Sequence, residues 1–217
     1  MRRYDAVIFD LDGTLLDTSE GIIRSVSHVI ELRNLPHIGE DVIRTFIGPP
    51  MQRSFARVFG MDAVTANAAA DDFRNRYKDT DLLLARPYDG IYDTLRALDG
   101  AGVKCAVATY KRQDYAERIL VHFGFDRLLG AMCGADFEGK LTKKDIIENA
   151  IKAVGVTDKK RAVMVGDSDN DAMGAEEIGV DFIGVTYGFG FERQGDVECF
   201  SNVGWADKPE GIQRYII

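Results

Sequence analysis

The sequence predicts an α/β protein: a doubly wound, mostly parallel sheet with an all-α insertion behind its first strand. Three observations carry this prediction. Short apolar runs at 4–9, 103–108, 128–133, 162–165 and 182–185 read as buried strands, because a parallel sheet covered on both faces needs nearly continuous hydrophobic strands. From Leu83 onward these runs alternate with amphipathic helical segments, the order that builds a parallel sheet. Between the first run and that alternation, about sixty residues carry helical periodicity and no strand pattern.

The opening run ends in Phe9-Asp10-Leu11-Asp12-Gly13-Thr14. If the strand persists through Asp12, Asp10 and Asp12 point to one side, about 7 Å apart along the backbone. Two neighbouring carboxylates at a strand end are costly unless a cation or a reaction needs them. In open α/β sheets, ligands bind at that end.

In the insertion, Ile22, Ile23, Val26, Val29 and Ile30 recur at helical spacing behind the cap candidates Asp17-Thr18-Ser19. Val42, Ile43 and Phe46 mark a second helix, stopped by Gly48-Pro49-Pro50, and 53–59 and 64–78 supply two more. The expected division is an α/β core of residues 1–15 and 85–217 and a helical cap of residues 16–84. An insertion at that point stands over the carboxyl ends of the strands, as a lid would. In the core, Ile91-Leu95-Leu98, Tyr115-Ile119-Leu120-Phe123, Ile146-Ile147-Ala150-Ile151-Val154 and 171–178 read as helices. A last strand near 198–203 and a short helix after Pro209 complete the expectation.

A net charge of −8 over 217 residues argues against nucleic acid or an anionic membrane as a partner, and requires that an anionic substrate be drawn in locally. No apolar stretch reaches transmembrane length, and acidic residues interrupt the N-terminal run, so the expected location is the cytoplasm. Cys105, Cys133 and Cys199 have neither metal spacing nor a disulfide pattern and read as reduced core residues. Monomer and dimer are both compatible with this sequence.

Four places can carry chemistry. Val165-Gly166-Asp167-Ser168-Asp169-Asn170-Asp171 repeats the logic of the first strand end: apolar strand, carboxylates, helix. It is not a calcium-binding EF-hand, because Ala172 and Ile178 stand where that loop needs glycine and a bidentate glutamate. Oxygen ligands gathered around a few waters suit Mg²⁺. Thr109 puts a hydroxyl at the end of the run Val107-Ala108. The run 134–140 imitates a phosphate-binding P-loop, but Leu141 replaces its Ser/Thr and Asp136 and Glu138 would repel phosphate. Thr142 is better read as an N-cap completed by Asp145. That puts Lys143 in the first helical turn, where the helix dipole disfavours a cation, so it reads as either a solvated surface residue or one held by nearby anions. Lys140 and Lys144 read as solvated. His28, His37 and His122 lie away from every strand end, and no Gly-x-Ser-x-Gly elbow or dinucleotide fingerprint is present.

In order, Asp10/Asp12, Thr109, Lys143 and Asp167/Asp171 resemble the four motifs of the haloacid dehalogenase superfamily, specifically its helical-cap phosphatases with a Rossmann-like core. Phe46-Ile47-Gly48-Pro49-Pro50 and Gly184-Val185-Thr186-Tyr187-Gly188 look phosphoglycolate phosphatase-like and nucleotidase-like. The resemblance implies an Mg²⁺-dependent phosphatase acting on a small phosphorylated metabolite: phosphoglycolate, a nucleotide or a sugar phosphate. It gives Asp10 the role of nucleophile forming an aspartyl-phosphate, and Asp12 that of general acid/base. Thr109 and Lys143 would hold the phosphoryl group. Asp10, the Asp12 carbonyl and Asp167 would bind the metal, supported by Asp171. Pro49, Pro50 and Arg53 would meet the substrate from the cap. The chain departs from the pattern at Tyr110, where a smaller polar residue is usual, and the run 142–144 leaves Lys144, or Lys140, as a substitute for Lys143. A sugar-phosphate mutase on the same site is the alternative, and a receiver-like phospho-accepting switch a remoter one.

Overall fold

The computed structural model describes residues 3–217. Six parallel strands form one sheet: β1 (Ala6–Phe9), β2 (Lys104–Arg112), β3 (Ala131–Ala135), β4 (Ala162–Gly166), β5 (Asp181–Val185) and β6 (Gly204–Ala206), in the order β3-β2-β1-β4-β5-β6. The winding reverses beside β1, which is flanked by β2 and β4, and such a reversal opens a crevice at the strands' carboxyl ends. All four β1 residues are fully buried, as the unbroken run Ala-Val-Ile-Phe requires of a central strand. Burying each of its larger side chains contributes about 1.5–3 kcal/mol. Ile8, Ala106, Met164 and Phe182 from the strands pack with Ile146 and Ile147 of a helix in one apolar cluster.

The chain forms two compact units, with crossings at Asp17/Thr18 and Arg86/Pro87. Thr18–Arg86 contains α1 (Ser19–Leu32), α2 (Glu40–Arg44), α3 (Met51–Phe59) and α4 (Ala63–Arg76), followed by one π-helical turn, Tyr77–Asp81. Ile22, Val26 and Val29 face its interior, where Phe46 and Phe55 meet edge-on with ring centroids 5.1 Å apart. The fully buried Asp81 accepts at Oδ2 from Ser25 and Arg76, each at 2.9 Å, and its Oδ1 lies 3.7 Å from the Arg24 guanidinium. The sheet unit adds α5 (Ile91–Gly100), α6 (Gln113–His122), α7 (Lys143–Ala153), α8 (Asp169–Ile178) and α9 (Gln194–Val197), with a 3-10 stretch at Pro209–Tyr215.

Four expectations need correction. The first strand stops at Phe9, so Asp10 and Asp12 belong to a loop rather than to one strand face. The second strand runs on to Arg112, through a bulge described below. No strand forms at 198–203: the chain leaves α9 at Val197, the Asn202 amide donates to the carbonyls of Val197 and Phe200, and only at Val203, whose N–H donates to the Phe182 carbonyl, does it meet the sheet. The last strand is the following Gly204-Trp205-Ala206, too short and too poor in β-branched residues to signal itself. Finally, Cys199 is exposed, and only Cys105 is fully buried.

Candidate active site

The register of the sheet assembles the site. Phe9 pairs with Val107 on one side and Val165 on the other. Asp10, Thr109 and Asp167 therefore all lie within two residues of one rung, Asp10 and Asp167 just past the ends of β1 and β4 and Thr109 at the irregular part of β2. All three are buried, as are Asp12, Lys143 and Asp171. The structure thus brings all six core candidates to one end of the sheet. Pro49, Pro50 and Arg53 belong to the helical unit, around the first turn of α3, with Arg53 exposed.

Lys143 is the pivot of the cluster. Its Nζ lies 2.6 Å from Asp10 Oδ1 and 2.6 Å from Asp171 Oδ1. Burial works against the ammonium, but the two carboxylates outweigh it and hold its pKa above the ordinary lysine value. This geometry answers the helix-dipole objection, because anions surround the lysine. Lys140 and Lys144 instead pair with Glu138 and Glu177 at the surface. At the start of α7, the Asp145 carboxylate accepts from the Thr142 N–H (2.9 Å) and hydroxyl (2.5 Å). Asp171 does the same for α8, accepting at Oδ2 from the Ser168 N–H (3.1 Å) and hydroxyl (2.6 Å), while its Oδ1 serves Lys143.

Asp167 is held from another side. Its Oδ2 accepts from the backbone N–H of Phe189 (2.7 Å) and Gly190 (3.2 Å), and its carbonyl accepts from Phe191 N–H (2.7 Å). Burial, with Asp171 alongside, pushes its carboxyl up to about 7 despite those donors. Burial likewise holds Asp10 well above the ordinary carboxylate range, with Lys143 opposing. The loop closes this tightly only because residue 188 is glycine. A Cβ there would lie 2.3 Å from the Gly13 carbonyl oxygen and 2.4 Å from Asp167 Oδ2. Gly188→Ala should therefore displace Asp167, cost about 1–3 kcal/mol in chemical denaturation, and lower turnover at least tenfold.

Two parts of the site escaped the sequence reading. One is the hold of this 188–190 loop on Asp167, since Gly188 stood out only as part of the segment 184–188 and in no dinucleotide fingerprint. The other is Lys111, whose Nζ lies 3.0 Å from Asp12 Oδ1, with 6 % and 10 % of the two side chains exposed. A signal existed, since Lys111 stands two residues after Thr109 and shares its face of a strand. A bulge aims both. Ala108 pairs with Cys133 and Arg112 with Ala135, so Thr109, Tyr110 and Lys111 stand opposite the single Gly134. Gly134 must be bare: a Cβ would lie 2.6 Å from the Lys111 carbonyl oxygen. Within the bulge, Thr109 Oγ1 accepts from the Lys111 N–H at 3.1 Å.

Carboxylate oxygens of Asp10, Asp167 and Asp171 lie within 4.8 Å of one another, and this set could hold a metal ion. The charges agree. Three buried carboxylates, Asp10, Asp167 and Asp171, gather about the single ammonium of Lys143, and a cation would offset their excess of negative charge. An all-oxygen donor set selects a hard ion.

A sheet reversal flanked by aspartate loops, with a lysine neutralising one of them, defines a hydrolase class that comparison with known proteins confirms. Residues 7–185 match the family model of haloacid dehalogenase-like hydrolases. The chain belongs to this family and is an enzyme of its phosphatase kind. It is 38 % identical over 193 residues to a 5'-nucleotidase of Pseudomonas aeruginosa, covering 88 % of this chain and 87 % of that one. It is 36 % identical over 185 residues to the tyrosine-protein kinase PtkA of Mycobacterium tuberculosis, covering 85 % of this chain and 62 % of that one. The crystal structure of a predicted phosphatase from Clostridium acetobutylicum superposes with a TM-score of 0.90 at 32 % identity, covering 97 % of each chain.

Proposed function

We propose that this enzyme is an Mg²⁺-dependent phosphatase of a small phosphorylated metabolite, working through an aspartyl-phosphate. The observation that carries this reading is the buried contact of Asp10 with Lys143 inside a carboxylate cluster able to hold a metal ion. Asp10 attacks phosphorus while Asp12 protonates the departing oxygen. Asp12 then takes a proton from the water that cleaves the aspartyl-phosphate, which returns both carboxyl groups to their starting state. Thr109 Oγ1 already accepts from Lys111 N–H, so its own hydrogen is the one to donate to a phosphoryl oxygen. Lys143 neutralises Asp10 and the transferring group, and Lys111 fixes the Asp12 side chain.

Asp10, the Asp12 carbonyl and Asp167 would hold the Mg²⁺, with Asp171 supporting through Lys143. When bound, the cation keeps the nucleophile ionised and offsets charge on the phosphoryl oxygens. The helical unit departs from the chain immediately behind the Asp10–Leu15 loop, which supports its reading as a cap that excludes water, with Pro49, Pro50 and Arg53 facing the substrate. Similarity to a 5'-nucleotidase supports a nucleoside monophosphate among the candidates, beside phosphoglycolate and sugar phosphates. Similarity to a protein named a tyrosine-protein kinase supports phosphoryl transfer to a hydroxyl as the second reading.

Phosphate release from a panel of these esters, with and without EDTA, tests the reading. Free phosphate that disappears with EDTA is expected. Equal rates would remove the metal, and hexose 1-phosphate converted to 6-phosphate without free phosphate would replace hydrolysis by transfer. The cation should also reverse a pH effect. Raised carboxyl pKa values mean that the folded chain binds more protons than the unfolded chain from about pH 4 to about pH 7. Stability without Mg²⁺ therefore falls as pH rises through that window. Mg²⁺ must displace those protons, so its gain in melting temperature should be larger at about pH 8 than at about pH 5.5 by differential scanning fluorimetry.

A further inference from the structure

The α7 helix begins at Lys143, and the N–H groups of a first helical turn have no acceptor within the helix. Local side chains usually supply one, as Asp145 does for Thr142. The Lys143 N–H instead donates to Tyr110 Oη, at 2.9 Å, from a strand 33 residues earlier. The same ring centroid lies 5.7 Å from Lys143 Nζ, within reach of a cation–π attraction. The ring packs against the apolar cluster that contains Ala108, Ala135 and Ile146, so its place is fixed. The aliphatic stem of Lys143 passes Gly174 of α8 closely enough that a Cβ there would lie 2.9 Å from Lys143 Cγ. Lys143 is thus fixed along its length: backbone by Tyr110, stem by α8, ammonium by Asp10 and Asp171.

We propose that Tyr110 is a positioning residue, tying the start of α7 to the bulge that carries Thr109 and so setting the Lys143 ammonium against Asp10 and the transferring phosphoryl group. The inference rests on the reading of Lys143 as the group that neutralises the reaction. It explains why a large phenol stands where a smaller polar residue would leave room. A short side chain on β2 would not span to the α7 backbone, and Lys143 would keep its ion pairs but lose its fixed origin. Displacement of a charged group by about 1 Å costs on the order of 100-fold in rate.

Tyr110→Phe is the deciding variant, because it removes one oxygen and keeps the ring. With p-nitrophenyl phosphate and saturating Mg²⁺, at a temperature where the variant is fully folded, kcat should fall about 10- to 100-fold with KM changed less than about threefold. Inhibition by orthovanadate, a mimic of the five-coordinate phosphoryl group, should weaken by a similar factor, while inhibition by inorganic phosphate should not. In a Lys143→Ala background, Tyr110→Phe should add less than a twofold loss. A Tyr110→Phe kcat within twofold of wild type, an unchanged vanadate affinity, or an equal loss in the Lys143→Ala background would each overturn the proposal. A Lys143→Ala enzyme as active as wild type would instead remove the reading on which it rests. If Lys143→Ala does not fold, the vanadate measurement decides alone.

Discussion

Asp10→Asn should lower kcat by on the order of 10⁴-fold or more while leaving a folded protein. The expectation follows from the division of labour among four carboxylates. Asp10 lies beside Lys143 at 2.6 Å, in a place where only an anion compensates that ammonium from the β1 side. The amide keeps the shape but is a poor nucleophile and cannot carry phosphate. Folding should survive because Lys143 retains Asp171, and because the substitution removes one of several carboxylates that burial already strains toward the protonated form. Two measurements check this: single-turnover phosphate release, and trapping of phosphorylated protein by acid quench. Wild type should yield the acid-stable, hydroxylamine-sensitive adduct expected of an acyl phosphate, and the variant none. Turnover within tenfold of wild type would remove Asp10 as the nucleophile.

Lys143→Met should be the most destabilising change in the site. Methionine fills the channel beside Gly174 without the charge, leaving Asp10 and Asp171 buried together with no cation between them. Removing one partner of a buried ion pair costs about 3–5 kcal/mol. For a chain of this size that corresponds to a melting temperature lower by roughly 6–20 °C. Mg²⁺ should recover much of the loss, since a cation bound among these oxygens supplies part of the missing charge. It should not recover turnover, which is expected to fall at least about 10²-fold because the ammonium also faces the transferring group. Thermal melts with and without Mg²⁺, beside steady-state rates, separate the two roles. A variant with the wild-type melting temperature would show that the carboxylates are protonated rather than paired.

Much of this arrangement was legible before any coordinates. Buried parallel strands announce themselves as apolar runs, and Asp10, Thr109 and Asp167 each follow one, so register alone brings them together. Lys143 was legible for a different reason: a lysine in the first turn behind a Thr142–Asp145 cap is either solvated or held by anions, and the family resemblance favoured the second. What stayed hidden depends on non-local backbone geometry. Lys111 reaches Asp12 through a bulge whose counterpart, Gly134, lies on another strand. The amides that hold Asp167 come from a glycine loop 22 residues further on, with no side-chain signature. Tyr110 stood out only as a departure from the family's pattern, and its hydroxyl is a partner of the α7 backbone.

The two oxygens of Asp171 have different employers: one closes the first turn of α8, the other holds Lys143. A single carboxylate thereby joins a helix terminus to the electrostatics of the reaction, and the chain cannot lose one without disturbing the other. Drift at this position is filtered twice, once by fold survival and once by turnover. Fraying of α8 under heat or denaturant would release Lys143 before the sheet itself opens, so inactivation should run ahead of global unfolding.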